Sequence, residues 1–114
     1  MRISIREDHG VTILDLNGRL VSGDGDAILR DALEKLIDEG KNSILVNFGS
    51  VTSMDSSGIG ELVSGWKHAR ERGSSVAILR PGDRVRYTLH LSQILPLLDV
   101  YENEETAVQA MGQG

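Results

Sequence analysis

Cysteine is absent from this sequence. That excludes disulfides, thiolate metal sites and a cysteine nucleophile together, and the fold has no need of an oxidising compartment. Aromatic residues make up only 4% of the chain, so Trp66 stands out by rarity. No apolar run approaches the roughly 20 residues of a membrane span. The stretch Met1-Arg2-Ile3-Ser4-Ile5-Arg6 lacks the apolar core of a signal peptide. Basic residues are outnumbered, 12 Lys+Arg against 17 Asp+Glu, for a net charge of −5. A free-standing nucleic-acid binder is usually basic. The expectations are no direct contact with nucleic acid, none with a membrane, and a cytoplasmic location.

What is present suits one soluble globular domain: 114 residues, 39% hydrophobic and 25% charged. A single domain over 1–114 is expected, with 112–114 as a frayed tail. Residues 2–7 alternate, placing Ile3 and Ile5 on one face of a half-buried strand. After the turn signal at Glu7–Gly10 comes a second strand over Val11–Leu16, hairpin-paired with the first. Gly18 and Ser22-Gly23-Asp24-Gly25 punctuate the chain. A helix is expected over 26–39, on the stripe Ile28, Leu29, Ala32, Leu33, Leu36 and Ile37, capped by Asp24 or Ser22 and ended by Gly40. Ile44–Phe48 reads as a central strand covered on both faces, and a helix follows from about Ser56 to Arg72. Val76–Leu79 is a further buried strand. A helix over 83–92, an edge-like strand over Asp99–Glu102 and a last helix capped by Asn103 complete the chain. Strands alternating with helices give an α/β domain built on one mixed sheet with parallel crossovers.

The segment Ser50–Gly73, SVTSMDSSGIGELVSGWKHARERG, holds the chemistry. Ile59, Leu62, Val63, Trp66 and Ala69 share a face that suits packing on the sheet, which makes Trp66 a core or core-rim residue. The opposite face carries Ser57, Glu61, Ser64, Gly65 and His68. Gly60 and Gly65 each cost up to about 1 kcal/mol of helix propensity relative to alanine. Either a neighbouring backbone approaches closely, or a partner protein needs a flat surface of small residues. Asp55 or Ser56 serves as N-cap. A serine at such a helix entrance is also open to a kinase, and a phosphate there adds about −1.5 to −2 charges. The helix dipole tolerates that charge, while a partner that buried the patch would not. A switch of binding without a switch of fold is what this chemistry predicts.

Enzyme readings fare poorly. Met54-Asp55-Ser56-Ser57-Gly58 lacks the leading glycine of a nucleophile elbow, and none of His9, His68 and His90 is assignable as its base. Gly58-Ile59-Gly60 imitates a dinucleotide fingerprint, but Val63 stands where the third glycine belongs. Asp24, Asp26 and Asp31 lack calcium-loop spacing. No catalytic residue, cofactor or metal is expected.

The chain resembles a stand-alone STAS domain (sulfate transporter and anti-sigma-factor antagonist) of the anti-anti-sigma type. Asn47–Val63, NFGSVTSMDSSGIGELV, carries the resemblance, supported by LDLNGRL at 14–20, GSSVAIL at 73–79 and the terminal DVYENEETAVQAM. The resemblance implies about four helices packed mainly on one side of the sheet. It implies an anti-sigma factor antagonist that is not an enzyme. Unphosphorylated, such a protein binds an anti-sigma factor that is also a serine kinase, and so frees the sigma factor. Phosphorylation of the serine matching Ser56 releases the antagonist, and a serine phosphatase resets it. Asp55, Ser56, Ser57, Gly58, Gly60, Glu61 and Ser64 are the implied contact residues. The family's non-switching members, scaffolds of stress-signalling complexes or accessories of lipid-transport machinery, give the alternative reading. One stretch, Arg19–Asp26, departs from the family's usual pattern beside the same surface. Oligomeric state is left open.

Overall fold

The computed structural model describes residues 1–112; Gln113 and Gly114, in the expected frayed tail, lie outside the described residues. The chain forms β1 (Arg2–Asp8), β2 (Val11–Leu20), α1 (Asp26–Asp38), β3 (Ser43–Met54), α2 (Ser56–Glu71), β4 (Ser75–Leu79), α3 (Asp83–Leu91), a 3-10 turn at Leu95–Leu97, β5 (Asp99–Tyr101) and α4 (Glu104–Met111). The five strands lie in sequence order in one sheet. β1 and β2 are antiparallel, joined through His9 and Gly10, both with positive φ, as a tight right-twisted hairpin requires. The other pairings are parallel.

Strand alternation sorts the core into two layers. Leu14, Leu16, Ile44, Val46, Phe48, Val76 and Ile78 face α1, α2 and α3, which contribute Leu29, Leu33, Leu36, Leu62, Ala69, Val85 and Leu89. Val11, Ile13, Leu45, Ala77 and Leu79 face α4, through Ala107 and Val108. The helices therefore pack mainly on one side, three against one, as expected. β3 is buried on both faces because it sits in the middle of that sandwich.

Two strands run further than their local sequence suggests. β2 continues through Gly18 to Leu20, and β3 continues past Phe48 to Met54. β3 carries an extra residue between the pairs Asp15–Asn47 and Asn17–Ser50, and another between Gly18–Val51 and Arg19–Ser53. Between these bulges Gly18, which reads as punctuation, pairs with Val51 and stays within β2, and the bulges bend β3 along β2. The helix starts also differ. Neither Ser22 nor Asp24 caps α1; Gly25 holds the N-cap position without a side-chain bond. Asp24 instead accepts from the Met1 amino group, and Asp26 from the Gly23 and Ala27 amides. Asn103 does cap α4, accepting from Thr106 N.

Arg6 ties the first strand to the last helix. Its guanidinium donates to both oxygens of Asp15 and to both of Glu104, and Asn47 Nδ2 donates to Asp15 as well. Arg6 is the largest cause holding both carboxyls below their ordinary range, against a smaller desolvation effect. A depressed carboxylate contributes stability that is present above its unfolded value, about 4, and lost as pH falls through its folded one. Arg6→Met is therefore expected to destabilise the protein at about pH 7, by a gap that narrows as pH falls below about 4 toward pH 3. Urea denaturation at both pH values measures that gap, and a gap that stays constant refutes the assignment.

Candidate functional site

The bulged end of β3 leaves one residue, Asp55, between Met54 and the first turn of α2. Asp55 is the N-cap of α2, in extended conformation. Its Oδ1 accepts from Gly58 N at 3.1 Å, and its Oδ2 accepts from Ser22 N at 3.0 Å. Its own amide donates to Leu20 O at 3.3 Å. One carboxylate thus joins the end of β2, the entry to α1 and the start of α2. Hydrogen bonds from the Ser22 amide, then the Gly58 amide, hold its pKa below the ordinary carboxyl range. Asp55 is ionised, with both oxygens already engaged by backbone.

Ser56 follows at the first helical position and is exposed; Ser57 is half-buried. The first turn of α2 contains no acidic side chain, so the carboxylate facing the positive end of the helix is that of the capping Asp55. Gly58, expected on the contact patch, is instead buried. A Cβ at this position would lie 2.8 Å from Leu20 Cγ and closer still to the Leu20 carbonyl oxygen. The close approach of a neighbouring backbone, not a partner, accounts for this glycine. Gly60 is the opposite case: it is exposed, and a methyl added there would meet nothing within 4 Å.

The α2 face that carries Glu61, Ser64 and Gly65 lies beside α1. Gly65 is buried, and a Cβ there would meet Leu33 Cδ1 of α1. Glu61 is half-buried, with Oε2 buried and 3.9 Å from Arg30 Nε. That is ion-pair range but beyond a hydrogen bond; Arg30 Nε donates instead to Asp31, at 3.2 Å. Ser64 is exposed on the lip of the same α1–α2 groove. The sheet-facing stripe is correspondingly narrower than expected: Leu62 and Ala69 are buried, while Ile59, Val63 and Trp66 are half-buried. Trp66 packs at the core rim with Arg70 over its ring, 4.9 Å from the centroid.

The structure thus gathers Asp55, Ser56, Ser57 and Gly60 at one helix entrance and sets Glu61 and Ser64 one to two turns along. Leu20, Ser22 and Arg30 complete the surroundings without any local sequence signal that pairs them with α2. His9 contacts Asp8 and His68 contacts Asp38. Among the described residues no helix is long and apolar enough to cross a membrane.

The sequence profile of the STAS domain matches residues 2–107. The anti-sigma F factor antagonist of Paenibacillus polymyxa is 24% identical over 108 residues, covering 95% of this chain and 92% of that one. Among solved structures, a Thermotoga maritima protein described as a candidate anti-sigma factor antagonist superposes with a TM-score of 0.87 at 21% identity, covering 96% of this chain and 93% of that one. The Bacillus cell-fate determinant SpoIIAA in its phosphorylated form superposes with a TM-score of 0.74 at 21% identity, covering 96% and 98%.

Proposed function

The chain belongs to the STAS-domain family, and from that premise we propose that it is an anti-sigma factor antagonist switched by phosphorylation of Ser56. One observation carries the reading: the Ser56 residue is exposed at the first position of a helix whose entrance is fixed by Asp55. In this reading the protein is a binding module and kinase substrate, not an enzyme, and works in the cytoplasm. Its unphosphorylated helix entrance docks onto an anti-sigma factor serine kinase, with Ser56, Ser57, Gly60 and Ser64 offering small, close-fitting contacts.

The kinase transfers the γ-phosphoryl group of ATP to Ser56 Oγ. The O–P bond to serine forms as the bond to ADP breaks, and the hydroxyl proton passes to a base of the kinase. The phosphate then sits at the positive end of α2, which supports it. It also sits beside the Asp55 carboxylate, which together with it makes a strongly acidic patch. A partner covering that patch has to desolvate the charge or leave. A serine phosphatase restores the hydroxyl.

Incubation with an anti-sigma serine kinase and ATP, followed by peptide mapping by mass spectrometry, is expected to find one phosphate, on Ser56. Modification on Ser57 or elsewhere, or none, counts against the reading. A stable assembly that survives Ser56→Asp would point instead to a non-switching scaffold.

A further inference from the structure

The sheet ends in two edges of very different length. β5 offers three residues, and β1 offers seven. Among the described residues β1 bonds only to β2, so the outward N–H and C=O groups along it have no strand partner there. Such edges commonly carry charge, which discourages pairing with other chains. β1 carries Arg2, Arg6, Glu7 and Asp8. Their arrangement, however, is complementary to itself in one register.

Two copies paired antiparallel in one sheet, about a twofold axis normal to it, set residues of the same face opposite each other. The symmetric registers therefore centre on a residue. Centred on Ser4, Arg2 meets Arg6. Centred on Arg6, that arginine meets its own copy. Centred on Ile5, Arg2 meets Asp8, Ser4 meets Arg6, Ile3 meets Glu7 and Ile5 meets Ile5. Only the last uses the whole strand and opposes unlike charges, while like charges directly across a ladder are destabilising.

The monomer leaves the groups for this register available. Arg6 is taken by Asp15 and Glu104 and Glu7 by Lys41, which leaves Arg2 outside the ion pairs of β1 among the described residues. Among the described residues Asp8 pairs only with the ring of its neighbour His9. Ile5 is 49% exposed and Ile28 of α1, on the same side of the sheet, is 41% exposed. An alternating strand places Ile5 on the face of Ile3, which packs against the α1 side of the core. A second copy would cover Ile5 with its own Ile5.

We propose that β1 is a self-association edge, pairing antiparallel with β1 of a second copy about Ile5 to give one continuous sheet. The contact is small, so a Kd on the order of 10–100 μM is expected. β2 separates β1 from β3, whose end carries the Ser56 site, so the two surfaces are distinct.

Sedimentation velocity on the full chain, from about 5 μM to about 1 mM, measures the dimer. Arg2→Asp and Asp8→Arg each oppose like charges twice per dimer and are expected to raise Kd at least about tenfold. The double variant Arg2→Asp/Asp8→Arg recreates the opposite pairing and is expected to restore Kd to within about threefold of wild type. Circular dichroism checks that each variant is folded, and Asp8→Asn is the milder replacement if Asp8→Arg is not. Outward β1 amides are expected to lose exchange protection as the wild type is diluted. A wild type monomeric over the whole range overturns the proposal. So does a dimer indifferent to the single swaps, one the double swap does not restore, or β1 amides whose exchange ignores concentration.

Discussion

Gly58→Ala is expected to destabilise the protein by about 3 kcal/mol, at the upper end for an added buried methyl. The new Cβ would press on Leu20 at both its carbonyl oxygen and its Cγ. A side chain alone could rotate away; a strand carbonyl cannot. That same carbonyl accepts from the Asp55 amide, so relief by moving the end of β2 also loosens the entrance of α2. Gly60→Ala, two residues on, is expected to go the other way. Its methyl meets nothing within 4 Å, and alanine raises helix stability by up to about 1 kcal/mol. Urea unfolding of the two variants side by side reads both signs. Equal effects from the two substitutions would show that Leu20 does not set the geometry of this turn. If Gly60 also meets a partner, its alanine variant becomes more stable and binds less well.

Ser56→Asp is expected to weaken binding to the anti-sigma kinase at least about a hundredfold, or about 3 kcal/mol, with the melting temperature close to wild type. The two halves of this expectation have separate causes. Binding falls because an interface that fits a neutral hydroxyl would have to bury a carboxylate without a counter-charge. The fold persists because Ser56 is exposed and the added charge lies at the favourable end of α2. Calorimetric titration against the kinase tests the first half and a thermal melt the second. Ser56→Ala supplies the control: it is expected to bind and not to be released by ATP. An aspartate variant that binds as tightly as wild type would remove charge as the means of release.

The order of the elements was readable because each rests on a pattern that tertiary contacts reinforce. Ile3 packs on the core from an alternating strand, although Ile5 on the same face is left exposed; the α1 stripe repeats at helical spacing, and Asn103 caps the last helix. The sequence also placed Ser56 at a helix entrance, where the structure leaves it exposed. What escaped were features decided by pairing at a distance. Gly18 looks like a break, yet pairing with Val51 of the bulged neighbouring strand carries it within β2. The glycines of the α2 motif are alike in sequence, but Gly58 lies on Leu20 and Gly65 on Leu33 while Gly60 faces open space. Helical spacing sorted the α2 residues into faces; it did not reveal that α1 would be the neighbour lying along the one that carries Gly65. The Asp55–Ser22 bond spans 33 residues, and no local rule reaches that far.

Between the last residue of β3 and the first of α2 stands Asp55 alone, fastened on both sides. If Ser56 is the acceptor proposed above, it is offered on a braced shoulder and not on a pliant tether. An enzyme that modifies it has to recognise a finished shape and cannot draw an unfurled strand into its own cleft. Only correctly folded copies would then qualify as substrates, so the signal carries a built-in check on the integrity of its messenger.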